Sequence, residues 1–178
     1  APVVSAVATD NIVNATEKTA GVVVSGTAEA NASVAVTWGT VVKTVTANSS
    51  GAWTTTFAAA DVPADAASTS ISAVATDAAG NTSSPTTGSV TVDTSAPNAP
   101  TVGTITATND TTPTLTGTSE PNATITVSVN GSTFTTTADG SGNWSITTTT
   151  LPSGTYSVTA TATDAVGNIS PVGTGSVT

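Results

Sequence analysis

The chain has 178 residues with two lysines, no arginine and eleven acidic residues, a formal charge of −9. It contains no Cys and no His, which excludes a thiol nucleophile, an imidazole base, an ordinary zinc or iron centre and a disulfide framework. With no basic surface there is no electrostatic footprint for nucleic acid or anionic lipid, and aliphatic runs such as Val22-Val23-Val24 are far short of the roughly 20 residues that cross a bilayer.

The abundance of Thr and Val argues for folded β-structure, because β-branched side chains suit a pleated, half-buried surface and disordered chains lack them. In chain order, Val34, Val36 and Trp38 alternate with Ala35 and Thr37, the period-two signature of a strand with one buried face. Phe57-Ala58-Ala59-Ala60-Asp61 is the only helical hint and amounts to one turn in a loop. Val92 to Pro100 places two prolines, Pro97 and Pro100, within four residues, which marks a short, stiff connector. Beyond it, Ile125, Val127 and Val129 alternate, Asn130-Gly131 reads as a tight hairpin, and Tyr156, Val158, Ala160 and Ala162 alternate again. Seven strands are expected in this half, beginning near Val102, Thr112, Ala123, Ser132, Asn143, Gly154 and Gly173.

The two halves repeat each other. Gly26-Thr27-Ala28-Glu29-Ala30-Asn31-Ala32 matches Gly117-Thr118-Ser119-Glu120-Pro121-Asn122-Ala123, and Gly51-Ala52-Trp53 matches Gly142-Asn143-Trp144. Ala75-Thr76-Asp77-Ala78-Ala79-Gly80-Asn81-Thr82-Ser83 matches Ala162-Thr163-Asp164-Ala165-Val166-Gly167-Asn168-Ile169-Ser170. Length differences fall before Gly26 and between Trp53 and Asp77. The expected fold is all-β: two tandem immunoglobulin-like antiparallel β-sandwiches of about seven strands each, residues 1–92 and 93–178, with the Pro-rich linker at 93–100. Trp53 and Trp144 share a repeat position, and Trp38 aligns with Val129, so all three are expected in the core.

These motifs, with Val92-Asp93-Thr94-Ser95-Ala96-Pro97 at the seam, resemble the bacterial Ig-like repeats of giant, biofilm-associated surface adhesins exported by type I secretion from Gram-negative bacteria. The resemblance covers essentially the whole chain. It implies a non-enzymatic extender that projects an adhesive tip from the cell surface, with neighbouring repeats of the same chain as partners, and Ca²⁺ stiffening the junctions. No nucleic acid, membrane insertion or ligand is expected for this segment, and it is expected to be monomeric. The abrupt start at Ala1-Pro2 and the strand-like finish at Ser176-Val177-Thr178 fit a piece of something longer.

The acidic residues allow a Ca²⁺ reading, since this ion takes six to eight oxygen ligands. Alternating strand directions gather the linker and three loops at one end of the second repeat. Asp93, Glu120 and Asp164 are the first candidate ligands there; Asp139, in a hairpin turn, shares that end. Asp10, Asn11 and Asp65 come next, from the facing end of the first repeat, where Asn14, Glu17 and Asp61 also fall. Crowded carboxylates without arginine favour a divalent cation. Glu29 and Asp77 define a matching outer site, expected to be incomplete because its linker Asp would precede Ala1. The alternative reading is a ligand-binding adhesion module for a glycan, ice or a protein. Only two long loops of the first repeat, Asp10 to Gly21 and Phe57 to Ser70, are candidates for that, and both are chemically plain.

Overall fold

The structure, a computed structural model, describes all 178 residues, and the chain divides into two compact units, Ala1–Ser95 and Ala96–Thr178. The first unit contains β1 (Val3–Val4), β2 (Ile12–Val13), α1 (Ala15–Ala20), β3 (Val22–Thr27), β4 (Ser33–Trp38), β5 (Val41–Thr46), β6 (Ala52–Phe57), β7 (Ala66–Thr76) and β8 (Thr86–Val92). They form a three-stranded sheet, β1-β3-β6, and a five-stranded sheet, β2-β8-β7-β4-β5. The edge segment changes sheets: β1 pairs antiparallel with β3, and β2 pairs parallel with β8.

The second unit contains β9 (Thr114–Thr118), β10 (Thr124–Val129), β11 (Ser132–Thr137), β12 (Asn143–Thr147), β13 (Tyr156–Thr163) and β14 (Gly173–Val177). Its sheets are β9-β12 and β11-β10-β13-β14. Six strands form where the sequence predicts seven. The segment near Val102 forms no named strand, because it too changes partners. The N–H groups of Thr101 and Gly103 donate to the carbonyls of Thr118 and Thr116, whereas Ile105 bridges in parallel to Val177. The segment pairs with each sheet too briefly for a continuous ladder.

Alternation places the cores as the sequence predicts. Val34, Val36 and Trp38 are buried in the first unit, and Ile125, Val127 and Val129 in the second. Trp38 meets Phe57 edge to face, with centroids 5.5 Å apart, and its indole N–H donates to Thr69 Oγ1 at 2.9 Å. Asn130 and Gly131 both have positive φ and join β10 to β11, as a two-residue hairpin requires. The turn at Asp139–Asn143 does not make a hairpin: β11 and β12 lie in different sheets, and the chain crosses between them there.

α1 departs from the expectation of an all-loop segment here. The sequence marks this segment as a loop, yet Asn14 and Glu17 form a reciprocal capping box, each side chain accepting from the other's backbone N–H at 3.0 Å. The one-turn helix at Ala59–Asp61 appears as expected.

Trp53 and Trp144 lie over glycines of the neighbouring strand. A Cβ on Gly26 or Gly117 would sit 2.5 Å from Cζ2 of the indole and would also strike the carbonyl of Val3 or Thr101. The tryptophan therefore fills the space that a side chain on β3 or β9 would take, and the first segment of each unit closes over the same point. Gly117→Ala is expected to lower unfolding stability by about 1–3 kcal/mol through overpacking. Urea denaturation followed by tryptophan fluorescence checks this, and Gly88→Ala, where an added Cβ meets nothing within 4 Å, is the control.

Candidate functional site

The acidic residues of the loops fall into three local arrangements. The first is a five-residue turn used four times, at Asn48–Ala52, Asp77–Asn81, Asp139–Asn143 and Asp164–Asn168. In each, the first residue's carbonyl accepts from the glycine N–H at position four, and its own N–H donates to the carbonyl at position five. The glycines Gly51, Gly80, Gly142 and Gly167 all have φ between +83° and +94°, where a side chain is strained. Oδ1 of the leading residue then accepts the N–H groups at positions three and five, 2.8–3.0 Å away in all four turns. Asp77 and Asp164 are thus held by their turns, and Asn48 shows that the charge is dispensable for the geometry.

The Asp164 turn goes further. Its Oδ2 accepts from Asn168 Nδ2 at 2.8 Å, and Asn168 is only 2 % exposed. Ser170 Oγ, also buried, accepts from the Ala162 N–H and donates to the Pro171 carbonyl. The recurring Asp-x-x-Gly-Asn-x-Ser motif is therefore a hydrogen-bonded strand connection, its Asp and Asn paired with each other and its Ser with the flanking backbone. Partial burial pushes the Asp164 carboxyl up, but the hydrogen bonds from Asn168, Val166 and Gly167 outweigh it and hold the group below the usual carboxylate range. The side chain and backbone of Asn81 do the same for Asp77. The backbone and side chain of Asn143 do so for Asp139.

The second arrangement contains Glu29 and Glu120. Each glutamate carbonyl accepts from the alanine N–H three residues on, Ala32 or Ala123, and the intervening Asn31 or Asn122 takes positive φ. This accounts for the Glu-x-Asn-Ala motif through its backbone and its asparagine. The two carboxylates are exposed and take no part in the turn's hydrogen bonds.

The third arrangement lies where the first unit ends. Asp10 Oδ1 accepts the Ile12 N–H, Asn11 Oδ1 accepts the Val7 N–H, and Asp93 Oδ1 accepts the Ser95 N–H at 3.2 Å. Asp65 accepts from the Thr94 N–H at 3.0 Å, from Thr94 Oγ1 at 2.6 Å and from Ser95 Oγ at 2.8 Å. The hydroxyls of Thr94 and Ser95 hold its carboxyl below the usual range. Asp61 is lowered mainly by its contact with Lys43, 2.7 Å away.

The registers gather the second unit's candidates at one end. Thr101 lies beside Thr118, so the entering chain runs next to the Glu120 turn. The Asn122 N–H donates to Asp139, and Thr124 pairs with Thr163, just before Asp164. The carboxylates of Glu120, Asp139 and Asp164 therefore share that end, but no group of three or more acidic side chains gathers closely enough to hold a metal ion. Carboxylate oxygens fit Ca²⁺ chemically; Glu120, which has no structural task in its turn, is the freest donor.

No aromatic residue is fully exposed. Trp38, Trp53, Trp144 and Phe57 are buried, and Phe134 and Tyr156 are half-buried, so no stacking platform for a sugar is present. The two long loops of the first unit are spent on α1 and on extending β7. A cleft of about 380 Å³ in the second unit is lined by Asp110, Leu151, Pro152 and Tyr156, among others, and the Tyr156 hydroxyl there donates to the Pro152 carbonyl.

Residues 4–92 match the family described as "Bacterial Ig domain", and residues 102–178 match the one described as "Bacterial Ig-like domain". The chain belongs to the bacterial immunoglobulin-like domains. Among solved structures it is similar to a "Ca2+-stabilized adhesin" that "helps an Antarctic bacterium reach out and bind ice", with 31 % identity and a TM-score of 0.62 over 100 % of this chain and 48 % of that one. A "1.5-MDa bacterial ice-binding adhesin" is similar at 29 % identity and TM-score 0.62, over 99 % and 62 % of the two chains. Fibronectin(III)-like modules of Clostridium thermocellum CbhA share the fold at 15 % identity and TM-score 0.53, over 98 % and 93 %. The chain thus spans about half to three fifths of the adhesin structures it resembles. No curated protein matches it.

Asp164→Ala should lower the stability of the second unit by about 1–3 kcal/mol at pH 7, because the Val166 and Asn168 N–H groups and the buried Asn168 side-chain amide lose the Asp164 carboxylate as acceptor. Asp139→Ala, in the matching turn at Asp139–Asn143 with solvent-exposed donors, should cost less. Because the folded pKa of Asp164 is depressed, its contribution is present above the unfolded value of about 3.9 and is lost as pH falls through the folded value. Urea titrations at pH 7 and pH 3 should therefore show the Asp164→Ala deficit shrinking in acid.

Proposed function

We propose that this pair of domains is a structural extender of a large bacterial surface adhesin, and that its task is mechanical. The observation that carries the reading is the assignment of its polar residues. The repeat motifs resolve into turns, caps and glycine contacts that build two similar sandwiches, leaving no catalytic constellation and no exposed aromatic platform. The adhesin segments similar to the whole chain support the same role. An extracellular, cell-surface location reached by type I secretion fits this reading.

Calcium is the second part of the proposal. Asp93 at the end of the first unit, with Glu120 and Asp164 of the second, would supply carboxylate oxygens to Ca²⁺ in the connecting region. Asp10, Asn11 and Asp65 stand as further oxygen donors, and Glu29 with Asp77 as the corresponding outer pair. Support comes from the hard-oxygen chemistry of the donors, from the shared end of Glu120 and Asp164, and from a similar adhesin described as stabilised by Ca²⁺. Extracellular modules bind Ca²⁺ with dissociation constants on the order of 10⁻⁴ to 10⁻³ M, so millimolar calcium would load such a site.

Thermal melts in millimolar CaCl₂ and in excess EGTA test this. Binding at ten times Kd stabilises the folded state by about 1.4 kcal/mol, a shift of several degrees for a domain of this size. An upward shift that Asp93→Ala or Glu120→Ala abolishes is the expected outcome. An unchanged melting temperature, together with a scattering-derived length insensitive to calcium, would overturn the metal assignment.

A further inference from the structure

Between the matched Trp53 and Asp77, the first repeat is four residues longer than the second. The structure shows where much of that length goes. Tyr156 and Thr69 are equivalent, since they pair with the equivalent Val177 and Val90. β13 begins at Tyr156, whereas β7 begins three residues before Thr69, at Ala66. The added residues pass through a bulge: Ala66 pairs with Val92 and Thr69 with Val90, so Ala67 and Ser68 together oppose Thr91. Thr91 Oγ1 donates to the Ala67 carbonyl at 3.0 Å, and the Ser68 and Ser89 hydroxyls meet at 2.8 Å. Both contacts hold the bulged strand against β8.

This extension carries Asp65 to the level at which the chain leaves β8. Its carboxylate receives three hydrogen bonds, all from Thr94 and Ser95, the first residues beyond Asp93. The Asp93 N–H donates to the Val13 carbonyl at 3.0 Å, and Asp93 Oδ1 receives the Ser95 N–H. Three consecutive residues after the last strand are therefore tied to the first unit without any metal. The corresponding segment of the second unit, Leu151–Thr155, has no carboxylate.

We infer that Asp65, delivered by the β7 bulge, is a latch that holds Thr94 and Ser95 on the first unit and fixes the point at which the linker is released. The linker that the sequence marks at Asp93 then leaves the first unit only after Ser95. Three fewer mobile residues shorten its reach by about 10 Å. Asp65 is a positioning residue here, and the latch needs no calcium; it goes beyond the calcium reading and stands or falls separately from it.

The test uses the 178-residue protein in excess EGTA. Backbone ¹⁵N relaxation and amide hydrogen exchange are compared for the parent, Asp65→Ala and Thr94→Val. In the parent, Thr94 and Ser95 should show order parameters near the rigid value of about 0.85. Asp65→Ala should drop both below about 0.6 and cut the exchange protection of the Thr94 amide at least about tenfold, with Val90 and Val92 unchanged. Thr94→Val, which removes one of the three donors, should shift the same amides in the same direction by less. Thr94 and Ser95 remaining equally rigid in Asp65→Ala, or being mobile in the parent itself, would overturn the latch. The calcium-dependent melt reads the metal proposal alone, so either can fail without the other.

Discussion

Each sandwich closes where a tryptophan ring lies on the bare backbone of the neighbouring strand. Trp53 over Gly26 and Trp144 over Gly117 leave no room for a Cβ, and the carbonyl of Val3 or Thr101 completes the contact from the segment entering the unit. That three-way contact docks the entering chain against the smaller sheet before it changes sheets. In the second unit it also sets the approach of the next residues: a Cβ on Gly173 would strike the Pro100 carbonyl, so the entering chain packs on the start of β14 as well. The indole N–H groups of Trp53 and Trp144 are buried without a partner at this point in both units. Both units therefore place shape ahead of hydrogen bonding at the same position, although an unmade buried bond costs about 1–3 kcal/mol.

Around that packing, the acidic residues sort by task. Asp77, Asp139 and Asp164 hold turns whose glycines sit at positive φ. Asp65 holds the departing chain. Glu29 and Glu120 hold nothing local. This sorting separates carboxylates whose loss is felt in folding from those whose loss leaves their turn's hydrogen bonds intact. It also explains how a chain with nine net negative charges and a single side-chain ion pair, Lys43 with Asp61, tolerates its own acidity. Most of the carboxylates accept from backbone and side-chain N–H and O–H donors rather than pairing with cations.

The two units differ mainly at the end where each last strand finishes. The first closes that end with α1, a one-turn helix and the long β7, which are joined by the Lys18 contact to the Pro63 carbonyl at 3.3 Å. The second leaves a cleft beside Tyr156. Inserted residues therefore cover one end and steer the exit of the chain, while the strand ladders and the four turns stay alike. A repeated domain can vary its connections in this way without disturbing the core.

Much was legible in the sequence because it is written in period and repetition. The all-β class, the two-repeat division, the buried face of each strand, the core tryptophans and the Asn130-Gly131 hairpin all follow from local rules about alternation and positive φ. The helix α1 was also within reach, since Asn14 and Glu17 have capping-box spacing, but its six residues lack an apolar period. What remained illegible depends on partners distant in the chain. The failure of residues near Val102 to form a full strand comes from their divided pairing with Thr118, Thr116 and Val177. The task of Asp65 comes from a bulge that shifts register against β8, and no local pattern records which strand a residue will face. Composition and spacing determined what kind of chain this is and which residues turn it. Only the tertiary structure decided which carboxylates are engaged, because a hydrogen bond across 29 residues, as from Thr94 to Asp65, exists only once the sheets have brought its ends together.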